Sequence, residues 1–485
     1  MKKEWVIFAY ILLAVVTFAP RVFLLDAFTS PDEPQWERNT QNFVKGLTQG
    51  DLKSLYQQPH PGITAQWLAA ASIAAPTWGE KRLPLALFLS ISVLYITYIV
   101  RRGWGDTAAL ITGFLLALNP LLIAHSRVLA MDALLGMFSI ATIIHHILWI
   151  EHKKKYDIAL VGVFSALAML SKLSAFGLVI YVIIGTIIVV LAKKVSWNKA
   201  LRGIGTGIGA GLLTAVIVFP TLLTNFSYVW EGSVTFFTTE HFQQHVHALG
   251  PWWYPEAFLI WTTPLQLIGL LSIAFILTKK NPYRWPIIML SLFCIIFFLE
   301  IQYSIKKGDR YMLPVFLAFD VISALVLVSL FKKYIKVVIA LCVIGISWQA
   351  YEIVRLHPHE LAYRNPLFVS IAKGRTMGWG EGLDVAAAYL NEKPNAEDLL
   401  VAAYYESSFA YHFKGKFTSA ERLGKESAQE IGADYVVLYR TMEGRAQERW
   451  ETKVLVEYKN KIPEKIISLN NEEYVWIYKI DKIDK

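Results

Sequence analysis

Cysteine is nearly missing. The 485 residues contain two, Cys294 and Cys342, and each falls inside an apolar run, where a thiol behaves as a small buried hydrophobe. The sequence therefore gives no basis for a disulfide framework. Charge is also thin: Asp, Glu, Lys and Arg together make up 18% of the chain, too few to coat the several domains that a soluble protein of this length would form. No solenoid period recurs along it. The first apolar run lacks a small-residue cleavage site and is too long for a removable signal peptide, so it is expected to stay as a span.

What fills the chain instead is hydrocarbon. Hydrophobic residues make up 55% of it, with a mean hydropathy of +0.41, and they come in runs of about 18–23, long enough to cross a bilayer core. This is a polytopic α-helical membrane protein. Spans are expected at Trp5–Leu25, Leu83–Val100, Thr107–Ala124, Leu129–Ile150, Ile158–Ser174 and Phe176–Ala192. They continue at Ala200–Leu223, Pro255–Thr278, Trp285–Ser304, Tyr311–Leu330 and Tyr334–Ile353, roughly eleven in all. The formal charge of +9 is no argument for nucleic acid, because the Lys and Arg residues sit at the ends of apolar runs.

Lys2-Lys3, Arg101-Arg102, Lys153-Lys154-Lys155, Lys193-Lys194, Lys279-Lys280 and Lys332-Lys333 fall on alternate loops. The positive-inside rule makes that side cytoplasmic and puts the N-terminus there in a multi-pass cell membrane protein. Outside then lie Asp26–Arg82, Thr224–Tyr254 and everything from Arg355 onward. Within the first, Ala-rich Ile63–Trp78 reads as a helix along the interface. The loop Lys306-Lys307-Gly308-Asp309-Arg310 is basic yet external, an exception that invites a functional reason. After Arg355 the composition turns globular. Asp384–Asn391 reads as a short amphipathic helix, and Leu399–Tyr405, Asp434–Tyr439 and Tyr474–Ile480 read as strands. The expected division is a membrane part, 1–354, and an external soluble α/β domain, 355–485, of ordinary size.

The acidic pair Asp32-Glu33, held between Pro31 and Pro34, stands where the first span leaves the bilayer. On or near the same side lie Arg21, His60, Arg82, Arg127, Asp132, Lys172, Lys306, Lys307 and Arg310. For any one of these the plain reading is structural: Arg21 snorkels, Arg82 anchors a helix, Asp132 pairs with Arg127. For the set, carboxylates and cations gathered on one side of a membrane are better explained by a pocket for an anionic substrate. His241, His245 and His247 offer i, i+4 spacing on an external loop. A divalent ion there is the one cofactor the sequence leaves open, against the plainer reading of an interfacial loop. The alternating Gly203, Gly205, Gly207, Gly209 and Gly211 lie in an apolar run with no preceding strand, so they predict close helix packing rather than a nucleotide loop.

The order Arg21, Asp32-Glu33, His60-Pro61, Arg82, Ser126-Arg127-Val128-Leu129-Ala130-Met131-Asp132 resembles the protein O-mannosyltransferase family and the related lipid A aminoarabinose transferases. Leu170-Ser171-Lys172 and Asp309-Arg310-Tyr311-Met312-Leu313-Pro314 extend the match. Gly378-Trp379-Gly380-Glu381-Gly382-Leu383 resembles the start of the C-terminal soluble domain in bacterial members. Where the family carries His-Pro-Pro, or Lys-Pro-Pro in lipid A-modifying members, this chain has His60-Pro61-Gly62. No external loop can hold the β-trefoil insertion of eukaryotic members, which favours a bacterial or archaeal branch.

The resemblance implies the GT-C fold and a glycosyltransferase. Such an enzyme moves mannose or another sugar, with inversion, from a polyprenyl-phosphate donor to a hydroxyl of a lipid, glycan or protein acceptor on the external leaflet. Its leaving group, a phosphate monoester, departs without a general acid, so one carboxylate base suffices, supported by cations that meet the growing negative charge. The resemblance implies Asp32 as base and Glu33 as the residue orienting Arg21 or Arg82. A purely structural Glu33 is the alternative for that residue. Two other classes stay open: a transporter or flippase of lipid-linked sugars, which would more often show paired halves and midplane charges, and a non-catalytic partner for which the acidic pair is dispensable.

Overall fold

The computed structural model describes residues 3–58, 61–242, 250–276, 281–304, 307–372, 375, 378–423, 427–442, 453–458 and 460–480. The helices in chain order are α1 (Lys3–Val22), α2 (Glu33–Gln49), α3 (Ile63–Ala70), α4 (Trp78–Ala117), α5 (Pro120–Ser126), α6 (Asp132–His152), α7 (Lys155–Ser171) and α8 (Phe176–Leu191). They continue as α9 (Trp197–Val218), α10 (Thr221–Thr224), α11 (Phe226–Phe242), α12 (Trp253–Trp261), α13 (Pro264–Leu271), α14 (Arg284–Tyr303) and α15 (Leu313–Leu356).

Among the described residues, eight helices are long and apolar enough to cross a membrane, against the eleven spans expected. The differences have local causes. α4 carries two expected spans in 40 residues, broken at Gly105, whose φ of 85° and ψ of 177° few other residues adopt. α7 is helical where expected but has only 17 residues. The expected span Pro255–Thr278 is cut between α12 and α13 by extended Thr262 and Thr263, where Thr263 and Gln266 form a capping box ahead of Pro264. The expected interfacial helix Ile63–Trp78 is also shorter. α3 stops at Ala70, and Thr77 begins α4 with its own capping box to Glu80.

α6 stands at the centre, its span wholly enclosed by protein. α7 and α9 pack backbone to backbone, a Cβ on Gly162 coming within 1.9 Å of the Gly207 carbonyl oxygen, while Gly203 makes room for the Trp149 ring of α6, 2.7 Å from where its Cβ would stand. Gly205 and Gly209 face open space. The glycine row thus splits into a packed face and a free one. Arg82 and Arg102 lie twenty residues apart on α4, so about 30 Å separates the two ends of the bundle. At the Arg102 end that guanidinium pairs with Asp157, which also holds His145 at 2.8 Å. The Arg82 end carries α2, α3 and the C-terminal part of the chain.

That C-terminal part contains the helix Leu383–Asn391 and five strands: β1 (Leu400–Ala403), β2 (Lys416–Ser419), β3 (Tyr435–Tyr439), β4 (Lys465–Leu469) and β5 (Glu472–Lys479). The sheet order is β2-β1-β3-β5-β4. β1 runs parallel to β2 and β3, while β5 is antiparallel to β3 and β4. The central strand β3 is buried at every residue. One apolar core continues from the membrane helices into this sheet.

Candidate functional site

The chain leaves α1 through a run of backbone carbonyls that no helix satisfies. Three arginines satisfy carbonyls here. Arg127, capping α5, donates through Nη1 to the carbonyls of Pro20 (2.5 Å) and Phe23 (2.7 Å), and through Nη2 to Leu24 (2.7 Å). Arg82 donates to the carbonyls of Leu25 (2.5 Å) and Phe28 (2.7 Å). Arg21 reaches from the last turn of α1 to the end of α4, donating to Ala117 (3.0 Å) and Leu116 (3.3 Å). All three are at most 2% exposed. Cations at helix C-termini also complement the helix dipole.

Glu33 is more fully satisfied, since the Nε atoms of Arg21 and Arg127 make no hydrogen bond among the described residues. Its carboxylate accepts from Arg82 Nε (2.7 Å) and Nη2 (2.6 Å), from the Ser30 amide (2.8 Å) and from the Leu129 amide (2.7 Å). It is fully buried. A bidentate pair with every remaining lone pair filled is the arrangement in which a buried ion pair tolerates the loss of water.

Asp32, one residue earlier, has the opposite fate. It stands at the N-cap of α2 without capping it, and its side chain is 45% exposed. One oxygen accepts from Arg310 Nη1 at 3.1 Å. Arg310 Nε lies 4.0 Å from Asp132, which accepts from Lys172 Nζ at 2.7 Å. A ladder of alternating charge, Asp32–Arg310–Asp132–Lys172, thus runs from water into the protein. Each member sits where an element begins or ends: Asp132 opens α6, Lys172 ends α7 in an extended conformation, and Arg310 lies in the turn Asp309–Met312 before α15. Tyr311 roofs Lys172, with the ammonium 4.1 Å from its ring centroid. Gly62 closes the floor. It sits at φ 56°, donates to the Ser171 carbonyl (3.1 Å), and a Cβ there would lie 2.3 Å from Trp36.

The C-terminal part reaches this ladder. The Trp379 ring lies 4.6 Å from the Arg310 guanidinium. Asp309 accepts from Trp261 Nε1 (2.7 Å) and Arg375 Nη2 (2.6 Å), which fixes the turn that carries Arg310. Burial lowers the Arg375 pKa, against the raising influence of Asp309 and Glu256.

The structure therefore brings together Asp32, Asp132, Lys172 and Arg310 from the expected set. It takes Arg21, Arg82, Arg127 and Glu33 out of reach of a ligand. For Arg82 this corrects the expectation of a phosphate contact, because Nε, Nη1 and Nη2 are all spent on Glu33 and on carbonyls. Arg127 meets Glu360 at 3.7 Å rather than Asp132. Lys307 closes the end of α14 through the carbonyls of Gln302 (2.8 Å) and Ser304 (2.6 Å), and burial pulls its ammonium pKa down. His60, Lys306 and His245 lie outside the described residues, as does the side chain of His241. Among the described residues no group of three His, Cys, Asp or Glu side chains comes together that could hold a metal ion. Sequence reasoning gave no site role to Tyr311, Asp309, Arg375 or Trp379. The signal for Trp379 was there, a lone tryptophan between glycines.

Three comparisons bear on this arrangement. The family described as dolichyl-phosphate-mannose-protein mannosyltransferase matches residues 60–223. No curated protein matches the chain by sequence. Among solved structures, ArnT from Cupriavidus metallidurans bound to undecaprenyl phosphate aligns with a TM-score of 0.51 at 16% identity, over 98% of each chain. The Archaeoglobus fulgidus oligosaccharyltransferase tethered with an acceptor peptide aligns with a TM-score of 0.54 at 14% identity, over 94% of this chain and 72% of that one. AglB from the same organism, in complex with an inhibitory peptide and a dolichol-phosphate, gives 0.52 at 13% identity, over 93% and 71%. Helix order, sheet and likeness agree: the chain is a multi-pass membrane protein with the GT-C fold.

Proposed function

We propose that this protein is a membrane glycosyltransferase that moves a sugar from a polyprenyl-phosphate donor to an acceptor hydroxyl, with Asp32 as base. The observation that carries the reading is the ladder: a half-exposed carboxylate facing an arginine just beyond the end of α1, braced from behind by Asp132 and Lys172. The acceptor O–H gives its proton to Asp32 as its oxygen bonds to the anomeric carbon. The bond from that carbon to the phosphate oxygen breaks, its electron pair staying with the polyprenyl phosphate, and the configuration inverts. Arg310 meets the charge that grows on the leaving group. Its Nη2 makes no hydrogen bond among the described residues, so a donor edge is free for a phosphate oxygen. Glu33 and Arg82 act by holding the loop that presents Asp32.

The likeness to ArnT bound to undecaprenyl phosphate and to AglB with a dolichol-phosphate supports a lipid-linked donor. So does an apolar groove of about 580 Å³ between α12, α13, α14 and α15, lined by Phe258, Leu270, Phe298 and Phe319. Its wall includes Met312, two residues beyond Arg310, which suits a chain whose phosphate rests on Arg310. In this reading residues 1–354 form the catalytic membrane part and 355–485 an external domain, with the N-terminus in the cytoplasm. Reconstituting the full chain with polyprenyl-phosphate sugars tests it. Release of polyprenyl phosphate that depends on Asp32 and Arg310 is expected. No release with any such donor, or release unchanged in Arg310→Ala, overturns it.

A further inference from the structure

The C-terminal sheet delivers an aromatic side chain, Trp379, to the ladder, and its delivery is tightly specified. Glu381, fully buried, accepts from the Trp379 amide (2.7 Å) and from the Tyr439 hydroxyl (2.7 Å), and that hydroxyl accepts from the Gly380 amide (3.0 Å). Tyr439 belongs to β3, the buried central strand, so the loop 378–382 is bolted to the middle of the sheet. Gly380, at φ 105°, passes so close to the acidic loop that a Cβ would lie 2.7 Å from the Thr29 carbonyl oxygen. The indole packs on Phe28, Val128 and Ala130. His125, 2% exposed, packs against it at a tilt, 5.3 Å between ring centroids, with its Nδ1 unpartnered, and Arg310 lies over the ring at 4.6 Å.

Arg310 needs such a surface. It is a long side chain, 29% exposed, and the carboxylates beside it hold only its Nη1 and Nε edges. A planar guanidinium recognises phosphate through two parallel donors, which works only if its plane is held. An indole face does this by cation–π attraction, with no hydrogen bond taken from the donors. We propose that Trp379 is a positioning residue for the donor phosphate: it fixes the plane of Arg310, so that the C-terminal sheet completes a site the membrane helices alone leave open. The inference rests on the reading of Arg310 as phosphate ligand.

A residue that merely seals two parts of the protein needs volume, whereas one that orients a cation needs a π face. Trp379→Leu keeps apolar bulk without a face, and Trp379→Phe keeps a smaller face. With the full chain in detergent, recovered as folded protein by gel filtration, binding of undecaprenyl phosphate is titrated for each variant. Trp379→Leu should weaken binding about tenfold, with Trp379→Phe within about threefold of wild type. In turnover assays kcat/KM for the donor should fall at least as far in Trp379→Leu and much less in Trp379→Phe, because Arg310 meets the phosphate both when bound and as it departs. Should Trp379→Leu fail to fold, Trp379→Met serves the same purpose. Equal affinity in the Leu (or Met) and Phe variants overturns the inference. Arg310→Ala separates the two levels: if it binds as wild type, the phosphate-ligand reading has failed. If it loses binding while Leu and Phe at 379 behave alike, only the role of Trp379 has.

Discussion

Two charged assemblies lie within a few residues of each other and differ in one respect, how completely their polar atoms are used. The pins at the end of α1, Arg21, Arg82 and Arg127 with Glu33, are buried and spend most of their donors and acceptors on backbone and on each other. The ladder from Asp32 to Lys172 is graded, closed at Lys172 and open at Asp32, whose carboxylate holds one partner and faces water. A saturated charge is structure. An unsaturated charge, held still by saturated neighbours, is where a substrate can enter the pattern.

The sharpest way to break this comparison is at its open end. Asp32→Asn keeps shape and removes the proton acceptor, so turnover should fall about 10²–10⁴-fold while donor binding survives. Full activity in that variant ends the assignment of Asp32 as base. At the closed end the damage should be to folding. Arg82→Met strands Glu33 in a dry site and should cost about 3–5 kcal/mol of stability, and adding Glu33→Leu should restore part of it. Thermal unfolding in detergent measures both, and a single variant as stable as wild type contradicts the pinning role.

Between the two lies a joint that responds to pH. Burial alone would lower the His359 pKa, but the hydrogen bond and charge of Asp384, with Glu381 and Glu360 near, hold it above the ordinary histidine value. A raised folded pKa means the contribution is whole below the unfolded value of about 6.5 and is lost as pH rises through the folded one. The stability difference between wild type and His359→Gln, followed by melting from acid to alkaline pH, should therefore shrink as pH rises. Growth of that difference contradicts the His359–Asp384 pairing. The smallest effect is expected at the Lys81–Glu37 bridge, 2.7 Å long and partly exposed. Glu37→Gln should change stability by less than about 1 kcal/mol. A larger loss there blurs the line between pinned and open charge.

Much of this was legible from one sequence because hydrocarbon runs, basic clusters and chain order are one-dimensional signals. Helices stand where apolar runs stand, and β1, β3, β5 and the helix Leu383–Asn391 follow from buried residues. The edge strands β2 and β4 were missed, since Lys416–Ser419 and Lys465–Leu469 carry no continuous apolar run. What stayed hidden was saturation. Asp32 and Glu33 are the same chemistry one residue apart, yet a step of 100° at the start of a helix sends one carboxylate inward and leaves the other in water. Arg82 read as a phosphate ligand because nothing in its neighbours announces that the carbonyls of Leu25 and Phe28 will claim it. Trp379, 69 residues beyond Arg310, is brought there by Tyr439 and Glu381, and no spacing encodes that meeting.

The pins also set a timetable. The arginines and the Leu129 amide that hold the backbone of residues 20–28 and the Glu33 carboxylate all belong to the first 130 residues. A chain made from its N-terminus can seat the acidic loop as soon as α4 and α5 have been threaded. Arg310 and the indole that faces it are synthesised long afterwards. Through more than a third of its own manufacture the protein holds a seated carboxylate with no opposing cation, and the last third of translation is what arms it.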